Sequence, residues 1–432
     1  MTIYQLLPRL WGNGKLADIK DGTFNHLKSL GVSHLWCTGI IRHAMGEDFV
    51  KGNAGSPYAI SDYYDINPYL AENPDNRFDE FKNLVSRVHE AGLELIIDFV
   101  PNHVARNYAP SELPLLDWCD YDWTDTRKID YSAEGTYDKM LDILRFWAGL
   151  GVDGFRCDMV ELVPVDFFSY AIRRMKQEYP SVIFIAEVYE KNNYRRYIQE
   201  AGFDFLYDKS GLYDTLRGIV LGGSTARGIT WNWQFLGDLQ PHMLNFLENH
   251  DEERFPFKSG CSAALAASAL LNTAPFMIYF GEETGVDAAE SDNKRTTIFN
   301  FARIESLQRL YRYVENGEKL SSEEEKYLEG FKKVMALASE PVKTDGLIHD
   351  LCYCNENTPG FNPDKHFAFL RHIENKTIIV FCNFDCSPAC LRLHIPDLGF
   401  ECTSPEIFVS PGESAIVNQS SPSSIEKIGI ID

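Results

Sequence analysis

The chain lacks basic clusters. It carries 41 lysines and arginines against 63 aspartates and glutamates, a net charge of -22. Phosphate backbones are bound by grouped basic side chains, so the balance argues against nucleic acid as a partner and fits a neutral or cationic ligand. An unbroken apolar run of membrane-spanning length is also missing. The nearest approach, CSAALAASALLNTAPFMIYFG at 261–281, is interrupted by Asn272 and Pro275 and reads as a buried helix followed by a buried strand. No membrane association is expected. The opening residues, MTIYQLLPRLWGNGK, show no charged segment leading into an apolar one, so a cytoplasmic location is expected. The ten cysteines lack regular spacing. Cys352, Cys354, Cys382, Cys386 and Cys390 fall close together, which a metal site or disulfides would also produce. The alternation of Cys352 and Cys354 along an apolar stretch favours reduced thiols on or beside strands.

What is present is ordinary for a folded chain: 44% hydrophobic and 24% charged residues leave no room for large disordered regions. A length of 432 residues allows more than one domain. The 21 tyrosines and 7 tryptophans are mostly core material, and are also what a sugar-stacking cleft uses.

Short apolar runs alternate with longer amphipathic ones. Strands are expected at 2–7, 32–37, 93–100, 152–157, 182–188, 203–208, 242–251 and 275–281. Helices are expected between them, at 21–30 with Asp21 as its cap, 77–92 closed by Gly92, 136–151, 165–179, 193–202 and 262–272. Eight strands alternating with helices over roughly 300 residues predict a (β/α)8 barrel. A doubly wound sheet would normally show a glycine-rich first turn, and none follows TIYQLL. Residues 103–133, with Pro110, Pro114 and six acidic residues, break the rhythm and read as a short insertion after the third strand. From about 345 the texture becomes short alternating strands (HFAFLRH, KTIIVFCNF, ACLRLHI, EIFVS, SAIVNQ), with turn residues such as Glu374-Asn375 and Pro411-Gly412 between them. The expected domains are a barrel over 1–102 and 134–345, an insertion over 103–133, and a C-terminal antiparallel β-sandwich over 346–432.

In such a barrel, catalytic groups stand at the C-terminal ends of strands. The third strand ends in DFVPNH, supplying Asp98, Asn102 and His103. The fourth ends in GFRCD, where Arg156 and Asp158 alternate onto one face. A carboxylate beside a guanidinium stays ionised, as a nucleophile requires. Alone, that pentapeptide would equally be a buried ion pair closing a strand. The fifth ends with Glu187 and the seventh with Asn249, His250 and Asp251. Paired carboxylates are the equipment of glycoside hydrolysis. Glu187, among other carboxylates, is expected to keep its proton by like-charge repulsion and serve as acid and base. Asp251 is expected to bind hydroxyls and stabilise charge on the sugar ring.

Together DFVPNH, GFRCD, IAEV and ENHD resemble the four signature regions of the alpha-amylase family of glycoside hydrolases, in order and in barrel position. The resemblance implies Asp158 as nucleophile, Glu187 as acid/base, Asp251 as transition-state stabiliser and Arg156 as partner of the nucleophile. It implies that His103 and His250 grip the sugar being cleaved, that Tyr58 in GSPYAISDYY stacks beneath it, and that Asn249 and Asp98 belong to the substrate-binding set, with Asp98 supporting the site more than touching the bond. Asp62 would hold that loop. The implied substrate is an α-glucan or malto-oligosaccharide, cleaved with retention at α-glucosidic, mainly α-1,4, bonds. A glucanotransferase shares every catalytic residue, and a non-catalytic glycan-binding homologue is a third reading.

Two departures stand out. The family often has Lys-His after the nucleophile, where this chain reads Asp158-Met159-Val160-Glu161-Leu162. The insertion, which in the family commonly supplies calcium ligands, is short. Asn102 matches one such ligand, with Asp117, Asp120 and Asp122 as its candidate partners; solvated loop acids are the alternative. No cofactor is expected to be required, with Ca2+ the one candidate.

Overall fold

The computed structural model describes residues 1–109, 113–255, 262–289, 291, 293–374, 376–396, 402–421 and 424–429. Pro110 and Asn375, named above, lie outside them. Eight parallel strands close into a barrel: Thr2–Leu6, His34–Cys37, Glu94–Phe99, Gly154–Cys157, Ile183–Ala186, Phe205–Tyr207, Met243–Phe246 and Phe276–Tyr279. The last pairs back onto the first, Thr2 against Phe276. Their residues are buried on both faces, which is why the sequence shows apolar runs here and not alternation. The strands are shorter than expected; the seventh stops at Phe246, so Leu247 to Asp251 form a loop.

The helix Arg77–Glu90 shows how the outer layer attaches. Phe81, Leu84, Val85 and Val88 make one buried stripe against the barrel. Gly92 then turns the chain with a left-handed φ of +75°, its N–H bonded to the His89 carbonyl. Asp21, by contrast, does not cap its helix. It is the first helical residue, preceded by Lys20; the helix end is capped from elsewhere, by Glu315 Oε1, which accepts from the Thr23 N–H at 2.8 Å. The expected helix at 193–202 is a 3-10 turn, one short α turn and a π turn over Tyr197–Ala201.

Register places the chemistry. Asp98 on the third strand is directly opposite Arg156 on the fourth. Between these strands Gly154 carries no side chain because Ile96 and Ile183 close over it; a Cβ there would sit 2.7 Å from Ile183 and 3.0 Å from Ile96.

The insertion holds one antiparallel pair, His103–Ala105 with Thr126–Lys128. After the barrel comes a five-stranded antiparallel sheet of Leu347–Asp350, His366–Ile373, Lys376–Asn383, Ser414–Ser421 and Ser424–Gly429. Two short strand pairs, Ala389–Leu391 with Ile407–Val409 and His394–Ile395 with Cys402–Thr403, accompany it. Both faces of the central strands are buried. Phe367, Phe369, Ile378, Val380 and Ile416 join the barrel core, while Ala368, Leu370, Ile379, Phe381 and Val417 join a second core with Leu391, Leu393 and Ile407. Cys352 and Cys354 sit on a one-turn helix, Cys352–Asn355, and not on a strand; both are free thiols. Their spacing of two matched a strand by coincidence. Among the described residues, no helix is long and apolar enough to cross a membrane.

Candidate active site

The strand ends converge on Arg156, which is fully buried. Nη1 donates to Asp158 Oδ1 at 2.8 Å and reaches Asp98 Oδ1 at 3.5 Å. Nη2 lies 2.9 Å from Glu187 Oε1 and 3.8 Å from Asp251 Oδ2. The Nη2–Glu187 contact is an ion contact without hydrogen-bond alignment. Nε donates to the Tyr207 hydroxyl at 3.2 Å. The sequence reading assigned this guanidinium to Asp158 alone. The structure shares it among four carboxylates, so Arg156 does not by itself separate the two catalytic candidates.

The excess of carboxylates has an electrostatic consequence. Burial pushes the Asp158 carboxyl well above the usual range; Glu187, Asp251 and Asp98 push the same way and Arg156 opposes them. Asp98 is raised by burial too, with Arg156, His250 and its bond from Trp36 Nε1 (3.1 Å) pulling down. Asp251, whose side chain is 35% exposed, differs. Against the cost of burial, the contacts to His250 (3.0 Å) and Arg156 hold it at about 2. One carboxylate is thus firmly ionised, while burial favours the protonated forms of Asp158 and Asp98.

Glu187 is held by two donors, the Met159 backbone N–H to Oε2 (2.9 Å) and the Tyr189 hydroxyl to Oε1 (2.8 Å), and by the ion contact with Arg156. Met159 takes an αL conformation (φ +45°) unusual for a side chain of its size. That turn aims its N–H at Glu187, local strain of the kind found at functional sites. Glu161, two residues on, accepts from the Tyr189 N–H and from Asn193 Nδ2, tying the loop after Glu187 to the loop after Asp158.

Asp158, Glu187 and Asp251 open into a cavity of about 550 Å3, with Tyr58, His103, Tyr121, Trp123 and Tyr189 among its walls. Asp98, Arg156, Asn249 and His250 stand behind that wall. Tyr58 stacks on His250 (ring centroids 5.3 Å apart), and its hydroxyl is 2.5 Å from His250 Nε2. Asn249 Oδ1 accepts from the backbone N–H groups of Asp251 and Glu252, both at 2.9 Å, so it shapes the turn that carries Asp251. His103 is brought down to about 4 by burial, with Lys128 and Lys51 adding and Asp120 opposing, and is neutral at pH 7. Asp62 bonds only the nearby Tyr64 N–H; it is Asp65 that holds the loop, through Arg42 and Arg77.

A model of the alpha-amylase catalytic domain matches residues 11–112. The alpha-amylase MalA of Haloarcula japonica is 29% identical over 298 residues, 64% of this chain and 42% of that protein. Alpha-amylase 2 of Dictyoglomus thermophilum is 24% identical over 290 residues, 60% of this chain and 48% of that one. In sequence the chain is similar to members of the alpha-amylase family. It spans under half the length of those two relatives, yet the solved structure of AmyP in complex with maltose superposes with a TM-score of 0.75 over 98% of this chain and 97% of its own, at 18% identity.

Among the described residues of the insertion, the candidate calcium ligands are mostly engaged elsewhere. Asn102 turns its amide Nδ2 toward Asp120 Oδ2 (2.8 Å) and His103. Both Asp120 oxygens accept from the Lys128 ammonium at 2.9 Å. Asp117 faces solvent and pairs with Arg127, and Asp122 lines the cleft. Asn102 Oδ1 is left without a hydrogen-bond partner, and Asp125 Oδ1 has only the Lys51 ammonium, at 3.5 Å. These oxygens are far fewer than the six to eight that calcium takes. Among the described residues, no group of three or more His, Cys, Asp or Glu could hold a metal.

Sequence reasoning missed Tyr189, Glu161, Trp36 and Tyr207. Tyr189 and Glu161 stand two and three residues past Glu187 and Asp158, a proximity that could have flagged them. Trp36 and Tyr207 end the second and sixth strands, where an aromatic looks like core.

Proposed function

We propose that the chain is a retaining glycoside hydrolase that cleaves α-glucosidic bonds, mainly α-1,4, in malto-oligosaccharides or starch-like glucans. The observation that carries this is the trio Asp158, Glu187 and Asp251, each reaching the cavity from a different strand end and each within 4 Å of Arg156. Asp158 attacks the anomeric carbon, and its bond to Arg156 offsets the charge it must carry. Glu187 protonates the leaving oxygen and later takes the proton from water. Asp251, ionised and partly exposed, stabilises the positive charge that grows on the ring. Tyr58 stacks beneath that sugar, and His103 contributes to its binding.

Double displacement predicts retention. Proton NMR of fresh product on a panel of malto-oligosaccharides should show the α-anomer first; the β-anomer first would reject Asp158 as nucleophile. Transfer to a sugar acceptor uses the same residues, and Tyr189, lining the cleft beside Glu187, offers an acceptor a stacking face. The same product analysis reads it, as oligosaccharides longer than the substrate.

A further inference from the structure

Four arginines are buried among the described residues: Arg9, Arg156, Arg254 and Arg371. Burial of a guanidinium is costly unless its charge and donors are met. Arg156 faces carboxylates. Arg254 pairs with Glu248 at 2.6 Å and donates to Thr296 and the Phe280 carbonyl. Arg371 has no carboxylate, but donates to the carbonyls of Leu271, Val342, Lys343 and Gly346. Arg9, 6% exposed, is the exception. Nη2 donates to the Ile298 carbonyl at 2.6 Å, Nε has no partner, and no carboxylate is within ion-pair distance among the described residues.

This guanidinium lines a second cavity, of about 350 Å3, that shares no lining residue with the catalytic cleft. Arg303 stands at its exposed rim. Asn13 and Gln308 contribute amide oxygens, their nitrogens donating to Asp18 Oδ1 and to the Gly12 carbonyl, and Tyr69 and Phe301 form an aromatic wall with ring centroids 4.6 Å apart. Asp18, beside it, is already engaged by the N–H groups of Asn13 and Lys15 and by the Tyr311 hydroxyl. In a chain of net charge -22, a cavity lined by two arginines and no carboxylate is a local reversal.

We propose that this cavity binds a small phosphate monoester of the sugar-phosphate class, whose oxyanion pairs with Arg9 and Arg303. Guanidinium forks suit phosphate oxygens. The two amides suit hydroxyl groups, the aromatic wall suits the face of a sugar ring, and the volume is that of a small-molecule site. Arg9 holds the carbonyl of Ile298, and Ile298 and Phe299 line the catalytic cleft two residues before Phe301 lines this cavity.

Calorimetric titration of the full chain tests this with glucose 6-phosphate, glucose, inorganic phosphate and glucuronate as probes. Arg303→Ala is the diagnostic variant, because Arg303 is exposed and its loss leaves the core intact, whereas a change at Arg9 would confound binding with folding. Glucose 6-phosphate should bind one to one, and glucose at least about tenfold more weakly. Arg303→Ala should weaken glucose 6-phosphate by about tenfold or more while turnover without it is unchanged. Added salt should weaken binding. A saturating malto-oligosaccharide, on an Asp158→Asn background, should not displace the probe. No binding at about 10 mM, unchanged affinity in Arg303→Ala, or displacement by the oligosaccharide overturns the site. Equal affinity for inorganic phosphate or glucuronate overturns the ligand class.

Discussion

Arg156 Nη2 lies 2.9 Å from Glu187 Oε1, almost as close as Nη1 lies to Asp158 Oδ1 at 2.8 Å. One guanidinium therefore neutralises both members of the proposed catalytic pair. Losing the charge of either leaves it a carboxylate partner, so function and folding can be separated by substitution.

Asp158→Asn and Glu187→Gln should each lower kcat on malto-oligosaccharides by at least about a thousandfold. Melting temperature should stay within a few degrees of the parent chain, since shape and the remaining pair are kept. Near-normal turnover in the Asp158 variant would remove the mechanism proposed here.

Excess chelator should leave the melting temperature nearly unchanged, because the Lys128 ammonium occupies Asp120. The pair is only slightly exposed, with side chains at 15% and 12%. Lys128→Met strands the Asp120 charge and should cost about 1–3 kcal/mol, read as a fall in melting temperature. A collapse of tens of degrees with chelator alone would show that a metal is held after all.

Lys343 is buried at the seam between barrel and C-terminal sheet, its ammonium bonded to the Ala274 carbonyl. Burial, with the Arg371 charge adding, lowers it to about 7. An unfolded lysine titrates near 10.4. Between those values the unfolded chain binds the extra proton, so stability rises with pH. Lys343→Met removes this group. The stability of the parent relative to the variant should climb by a few kcal/mol from pH 7 to about pH 10 and be flat below pH 6. Parallel curves for the two proteins in thermal melts would contradict the burial argument.

Tyr121 is 71% exposed, adopts a left-handed φ of +51° and packs near Trp123 on the cleft wall. Such a conformation is held where function requires it. Tyr121→Ala should lower kcat/KM on maltoheptaose by about tenfold while changing maltotriose little, as remote binding energy is lost. Equal losses on both substrates would place Tyr121 at the reacting sugar instead.

Much of this was legible in the sequence because barrel strands are short, apolar and end in polar residues, so order along the chain maps onto position around the ring. Asp158, Glu187 and Asp251 could be found that way. What was illegible depends on side chains crossing between strands. Nothing local says that Arg156 reaches Glu187 as well as Asp158, or that His250 lies behind Tyr58. Lys128 pairs with Asp120 across eight residues, and Arg9 is unusual only once its surroundings are known. Cys352 and Cys354 are free thiols, as expected, and Cys352 lies beside a strand, against Ala368, though both sit on a helical turn.

The C-terminal sheet is clamped to the barrel along one face. Phe367, Phe369 and Ile378 are shared with the barrel, and Arg371 reaches the carbonyl of Leu271 at the end of the barrel helix Ser262–Leu270. It is consequently no detachable module. Cutting the chain at residue 345 would not give a smaller working barrel but one with an apolar flank open to water, prone to self-association. Grafting this sheet onto a related barrel would require the receiving helix to be recut to fit.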